Sequence, residues 1–450
     1  MYKIVINNVK NTHEYEELIK IFLRPGEYKI TSEGIGDLVF WGSDDKNQTK
    51  RDIYDALSSV TGKHPKWGII TGIRPVKLFG DIQRRENSSE RAVEIFRKDY
   101  LVSEEKARLV SEIFNHQQNV FGFAGRNTAG VYIGIPFCPS RCLYCAFTSN
   151  NADDKKIKSY LEALFKEIDC VSDMMLKSGM SAESIYIGGG TPTVLCESDL
   201  DRLLLRINER FFSSDTLEFT VEAGRPDTLN KEKIRIIENN GATRISINPQ
   251  SMRDETIKAI GRNHTAAEVV EAVKTTKKIS RLAVNMDIIA GLPGEEPNDF
   301  KYSIDSILDL DVENITVHSL AVKRSSRLAA ADKNYHYSHG ESVSEMLDLA
   351  AEKLRNSGYA PYYLYRQKHM SGALENVGYA KNKFEGLYNV RMMDEHQMIV
   401  ALGAGGISKA YDYDTESFTR VPNVSNYEVY IQRIDEMIKR KQDGLFDITK

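Results

Sequence analysis

From Val131 to about residue 325 one pattern recurs six times: a short β-rich run, then a polar stretch whose apolar residues return three and four positions apart. The runs are VYIGIPF, SIYIGG, LEFTVEA, RISINPQ, LAVNMDIIAGLP and NITVHSL, with intervals such as ESDLDRLLLRINERFF between them. Strands that alternate with helices form parallel sheets, because a parallel return needs a crossover. Eight such units close a barrel, so six predict an α/β chain built on an open, partial (β/α)6 barrel over residues 126–330, with its chemistry at the carboxyl ends of the strands.

The flanks read differently. Residues 1–125 predict an N-terminal α/β extension, with strands at MYKIVINNV and DLVFWG, helices at HEYEELIKIF and RDIYDALSSV, and a helical connector. Its segment WGIITGIRPVKLFGDI, with Arg74 and Lys77, reads as chain punctuation. Residues 331–450 predict an α+β domain that covers the substrate, with a helix at SVSEMLDLAAEKLRNSG, a strand at YAPYYLYRQK, a turn at LGAGGIS and a last helix at NYEVYIQRIDEMIKRKQDG.

Of the 450 residues, 41% are hydrophobic and 28% charged, with a net charge of −4. That balance predicts a soluble protein without general attraction for nucleic acid, and no run reaches the roughly 18 apolar residues of a membrane span. The N-terminus carries no secretory signal pattern, and five cysteines are too few for a disulfide framework. The expected compartment is the reducing cytoplasm.

Three of those cysteines, Cys138, Cys142 and Cys145, fall within eight residues directly after the first barrel strand. Three thiolates hold three irons of a cubane and leave the fourth open to a small molecule. A zinc ion is the alternative, but it asks for a fourth Cys or His, and the nearest suitable position holds Phe147. Cys170 and Cys196 read as inert thiols. Gly188-Gly189-Gly190-Thr191 ends the second strand, and Glu222, Gln250 and Asp287 end the next three, so a nucleoside-like polar ligand fits the rim.

The segment YIGIPFCPSRCLYCAF, with the later GGGTPT, NMDIIAGLPG and LGAGGIS, resembles the radical S-adenosylmethionine (SAM) superfamily. Within it, the chain is most similar to the oxygen-independent coproporphyrinogen III oxidase family, in its coproporphyrinogen dehydrogenase-like branch from Gram-positive bacteria. The likeness runs from about Tyr132 to the C-terminus. It implies a [4Fe-4S] cluster on Cys138, Cys142 and Cys145, and one or two SAM molecules whose reductive cleavage yields a 5′-deoxyadenosyl radical. By the same likeness Tyr132, Tyr144, Gly189, Gly190, Thr191, Glu222, Gln250, Arg262, Asp287 and Ala321 match SAM-contacting positions. Arg262 and Asp287 also suit a plain ion pair. A tetrapyrrole substrate would find cations for its propionates at Arg324, Arg327, Arg366 and Lys368, while His264, His318 and His369 read as structural histidines. A one-electron donor such as flavodoxin or ferredoxin is implied. The chain departs from the family pattern at Gly134, where a His is usual, and at Phe147, where oxidases carry a further Cys. The leading reading is oxidative decarboxylation of coproporphyrinogen III to protoporphyrinogen IX; the alternatives are a haem-binding chaperone and radical chemistry on another tetrapyrrole.

Overall fold

The computed structural model describes residues 1–146, 150, 153–323 and 325–447. Two positions singled out from the sequence, Phe147 and Arg324, lie outside the described residues. At the N-terminus β1 (Tyr2–Asn7) runs parallel to β2 (Tyr28–Thr31) on one side and β3 (Leu38–Trp41) on the other, under helices His13–Phe22 and Lys46–Thr61. The connector forms three helices, Pro75–Glu86, Ser89–Lys98 and Glu104–Val120.

The six predicted barrel strands all form: β4 (Thr128–Ile135), β5 (Ser181–Gly189), β6 (Glu218–Glu222), β7 (Arg244–Ser246), β8 (Ala283–Ala290) and β9 (Asn314–Ser319), each parallel to the next. The sheet does not stop where the barrel was expected to end near residue 330. β10 (Ala360–Tyr365) and β11 (Asn376–Ala380) continue it antiparallel beyond β9. On the other side β12 (Met398–Leu402) lies parallel to β4, so the parallel run among the described residues is seven strands rather than six. β13 (Ile407–Asp412) and β14 (Ser417–Pro422) finish that edge.

Alternation along the strands sorts the side chains. Val131, Ile133, Ile185, Ile187, Phe219, Val221, Ile245, Val284, Met286 and Val317 point outward into the main core, against the crossover helices. The opposite row faces the lumen and is polar: Tyr132 pairs in register with Tyr186, Glu222 with Ser246, and Asp287 with Thr316. A closed barrel fills its interior with branched apolar side chains. Here the floor is instead plugged by the chain at Phe384–Tyr388. Arg244 donates to the carbonyls of Phe384 and Glu385 at 2.8 and 3.1 Å, and Glu218 accepts from the Leu387 amide at 2.6 Å.

The C-terminal helices are tied to the barrel by a fully buried ion pair. Glu167, on helix Asp154–Lys177, accepts from Lys441 Nζ (2.6 Å), Tyr430 Oη (2.6 Å), Asn423 Nδ2 (2.9 Å) and the Gly403 amide (2.7 Å). Neither charge is exposed, and the added hydrogen bonds, including one from Lys441 Nζ to Asn423, offset the desolvation such a pair costs. Removing one partner strands the other, so Lys441→Ala is expected to lower stability by about 3 to 5 kcal/mol in chemical denaturation.

Candidate radical SAM site

On its β5 side the cysteine loop is held by backbone hydrogen bonds. β4 and β5 stay paired to Ile135 and Gly189, and beyond them the Gly190 amide donates to the Ile135 carbonyl (2.8 Å) and the Thr191 amide to that of Phe137 (2.7 Å). A Cβ on Gly190 would stand 2.3 Å from the Phe137 oxygen, so only glycine allows this approach. Gly188 has the same role toward the lumen, where a Cβ would fall 2.8 Å from a Glu222 oxygen. The triple glycine thus clamps the loop that carries Cys138, and Thr191 Oγ1 lies 3.4 Å from Cys138 Sγ. On the far side the Leu143 amide donates to the Ile260 carbonyl, Ser140 Oγ to the Gly261 carbonyl, and Arg141 to the Ser325 carbonyl at 2.7 Å.

Two buried guanidinium groups flank Cys142. Arg225 donates to Ser140 Oγ at 3.1 Å, approaches Cys142 Sγ at 3.9 Å and pairs with Asp227 at 3.1 Å. Arg262 bonds the carbonyls of Gly224 and Asn248 and, at 3.2 Å, the Tyr144 hydroxyl. The ion pair between Arg262 and Asp287 is not what forms, since Asp287 takes Asn285 at 2.9 Å and stands 3.7 Å from His318. Among the described residues no three Cys, His, Asp or Glu side chains converge on one point as ligands of a single metal ion. A cubane does not need that convergence, because each thiolate binds a different iron; the zinc alternative does.

Below the loop the lumen is aromatic and acidic. Tyr132 and Tyr186 stack with ring centroids 6.3 Å apart, and Tyr388 stacks on Tyr186 at 4.7 Å. The Tyr186 hydroxyl donates to Glu222. Burial raises the Glu222 carboxyl to about 7, assisted by the neighbouring Asp287 charge and opposed by the Tyr186 hydrogen bond. Asp287 is half-buried, yet His318 and Asn285 outweigh its desolvation and hold it below its ordinary value. His318 in turn meets the Tyr365 hydroxyl at 3.3 Å, which links β8, β9 and β10 across the lumen. Gln250 adopts a left-handed φ of 68°, and its buried Oε1 has no hydrogen-bond partner. Such an orphaned acceptor in a strained backbone marks a ligand position.

The loop and lumen therefore gather Tyr132, Tyr144, Gly189, Gly190, Thr191, Glu222, Gln250, Arg262 and Asp287, while Ala321 sits just past β9, bridged to Met370. The basic residues do not share one place. Arg366 was expected to grip substrate, but it is 5% exposed, donates to the carbonyls of Ile70, Ala373 and Leu374 and stacks over Trp67, so its donors are taken by the protein itself. Lys368 turns instead to the N-terminal helix, 3.6 Å from Glu17 and 3.3 Å from His13. Arg327 is exposed at the start of a short helix whose Leu328 amide bonds the Leu143 carbonyl, beside the cysteine loop. His264 is buried 3.7 Å from Asp227, and His369 packs against His336. Sequence reading passed over Arg225, Tyr186, Tyr388 and Tyr365. For Tyr186 a signal existed, since it stands at the same strand parity as Tyr132.

Residues 132–307 match the radical SAM superfamily. The chain is 37% identical over 414 residues to the oxygen-independent coproporphyrinogen-III oxidase-like protein HemZ of Bacillus subtilis, covering 90% of this chain and 83% of that protein. It belongs to this family of radical SAM proteins. The heme chaperone HemW of Bacillus subtilis is 31% identical over 309 residues, 68% of this chain and 76% of that one. The solved coproporphyrinogen III oxidase HemN of Escherichia coli superposes with a TM-score of 0.55 at 20% identity, over 72% of this chain and 73% of that one, which establishes a shared fold. The family uses a [4Fe-4S] cluster and SAM. The residues here fit both groups: three thiols on a clamped loop with cations beside them, and unmatched polar atoms at Gln250 Oε1 and Arg262 Nε just inside.

Glu222 makes a pH-dependent contribution that can be measured without cofactor. Its folded value of about 7 lies above the ordinary 4.5, so the folded chain holds a proton that the unfolded chain has released. The stability this gives is complete below about pH 4.5 and is lost as pH rises through about 7. Between pH 5 and pH 8, wild-type apoprotein is expected to lose about 2.5 kcal/mol relative to Glu222→Gln in denaturation curves. Parallel curves would remove the buried carboxyl from this account.

Proposed function

We propose that this chain is a SAM-dependent radical enzyme that oxidatively decarboxylates two propionates of coproporphyrinogen III, giving the vinyl groups of protoporphyrinogen IX. The supporting observation is the polar, tyrosine-faced row directly under the clamped cysteine loop, where Tyr186 and Tyr388 offer ring faces to the pyrroles of a tetrapyrrole. In this reading Cys138, Cys142 and Cys145 hold the cluster, and Tyr132, Tyr144, Gly189, Gly190, Thr191, Glu222, Gln250, Arg262, Asp287 and Ala321 hold SAM. When bound, the cluster and SAM would supply a 5′-deoxyadenosyl radical able to take a hydrogen from the propionate β-carbon, which would then lose CO2 and one electron; this chemistry requires both a one-electron donor such as flavodoxin or ferredoxin, to cleave SAM, and an acceptor for the substrate's electron.

The chain's own groups position and exclude. Glu222, raised to about 7, carries a proton in part of the population near neutrality and can then donate as well as accept, whereas Asp287 stays anionic beside His318; the two carboxyls thus present different faces to a ligand. Of the cations assigned to the propionates from the sequence, Arg327 keeps that role: it is exposed at the start of the helix whose Leu328 amide bonds the Leu143 carbonyl beside the cysteine loop. A second reading, haem binding without turnover, draws on the similarity to heme chaperones and on the glycine at position 134.

Anaerobic reconstitution is expected to give about four irons per chain, with the iron lost in the Cys138→Ala, Cys142→Ala, Cys145→Ala triple variant and kept on replacing Cys170 or Cys196. Incubation with coproporphyrinogen III, SAM and a reductant should then release CO2 and form the vinyl product. Stoichiometric haem binding with no vinyl product would transfer the assignment to the chaperone reading.

A further inference from the structure

Outside the barrel, helix Glu104–Val120, helix Gly340–Asn356 and the outward faces of β9 and β11 enclose a cleft of about 320 Å³ that the radical chemistry does not use. Its floor is apolar, made by Val317, Val377, Leu109, Leu347 and Ala351. Its walls carry three cations, Lys106, Arg108 and Arg355, against three anions, Glu105, Glu112 and Glu375, so they balance to zero.

The inner wall is built. Lys106 and Glu375 are 5% and 2% exposed and pair at 2.7 Å, and the Trp67 indole donates to the other Glu375 oxygen at 2.7 Å. Burial and the Glu375 charge together raise the Tyr379 phenol beside them. The mouth is different. There Arg355 meets Glu112 through two hydrogen bonds of 2.8 and 2.7 Å, with the two side chains 40% and 43% exposed.

We infer that this cleft binds a small zwitterion with an apolar body, an aliphatic α-amino acid, whose carboxylate engages Arg355, whose ammonium engages Glu112 and whose side chain lies on the valine and leucine floor. Charge selects this class. A singly charged ligand at the mouth would pair with one of Arg355 and Glu112 and strand the other, whereas a molecule carrying both signs replaces the Arg355–Glu112 pair by two equivalent pairs. That exchange is cheap, because an exposed ion pair is worth about 0 to 1 kcal/mol. The volume lies at the low end for ligand pockets, which suits about ten non-hydrogen atoms. No lining side chain is shared with the lumen, so the inference stands apart from the decarboxylase reading.

The test is calorimetric titration of the full-length chain with L-leucine and L-isoleucine, set beside isovalerate and isoamylamine, which each keep one charge. Both amino acids are expected to bind one per chain, and the single-charge probes at least about tenfold more weakly, tenfold being about 1.4 kcal/mol. Ala351→Trp should fill the floor and abolish binding, and Arg355→Gln, at the exposed mouth, should weaken it about tenfold with the melting temperature of the free protein unchanged. The inference is overturned if neither amino acid binds, if a folded Ala351→Trp binds as the wild type does, or if isovalerate or isoamylamine binds as tightly as leucine.

Discussion

A row of polar side chains inside parallel strands must find partners, and that requirement organises this molecule. Tyr132, Tyr186, Glu222, Asp287 and His318 all face inward, in a space where an unmatched polar group costs about 1 to 3 kcal/mol. The protein meets the requirement from the C-terminal side. The Phe384–Tyr388 segment bonds Arg244 and Glu218 at the floor and sends Tyr388 up against Tyr186, while β10 brings Tyr365 to His318. Buried polar atoms without a partner remain at two levels: Gln250 Oε1 and Arg262 Nε at the rim next to the cysteine loop, and Ser184 Oγ, Arg244 Nε and Tyr388 Oη lower in the lumen.

The same glycines join fold and chemistry. Gly190 lets the end of β5 bond the chain between Ile135 and Phe137, so the geometry of the cysteine loop is set by strand pairing two residues away. A loop fixed on one side by β5 and on the other by the carbonyls of Ile260 and Gly261 presents its thiols at a defined height over the lumen. Pre-organisation of this kind is what a cluster-bearing loop needs if the reacting groups are to meet at contact distance.

Much of this was legible in the chain itself. The β/α alternation predicted all six barrel strands, because period-2 and period-3.6 patterns report one apolar face per element, and here each strand sets an apolar row against the crossover helices and a polar row into the lumen. The cysteine spacing and the strand-end polar residues marked the mouth, because those side chains have no structural reason to recur there. Three things were hidden. β12 could not be placed beside β4, since nothing local says which edge a distant strand will join. Arg366 reads as a free cation in YLYRQK, but the carbonyls of Ile70 and Ala373 that absorb it come from segments far apart in sequence. Tyr388 lies in a stretch without periodicity and enters the lumen only because the floor plug carries it there.

The central claim is that Cys138, Cys142 and Cys145 hold a cluster with one iron open toward the lumen, where SAM binds. Electron paramagnetic resonance of the reduced, reconstituted protein tests this most directly, recorded with and without SAM. The account predicts a [4Fe-4S]+ signal whose g-values move on adding SAM, and a smaller or absent movement in Asp287→Ala and Glu222→Ala. A cluster signal that SAM leaves unchanged in the wild type would contradict it.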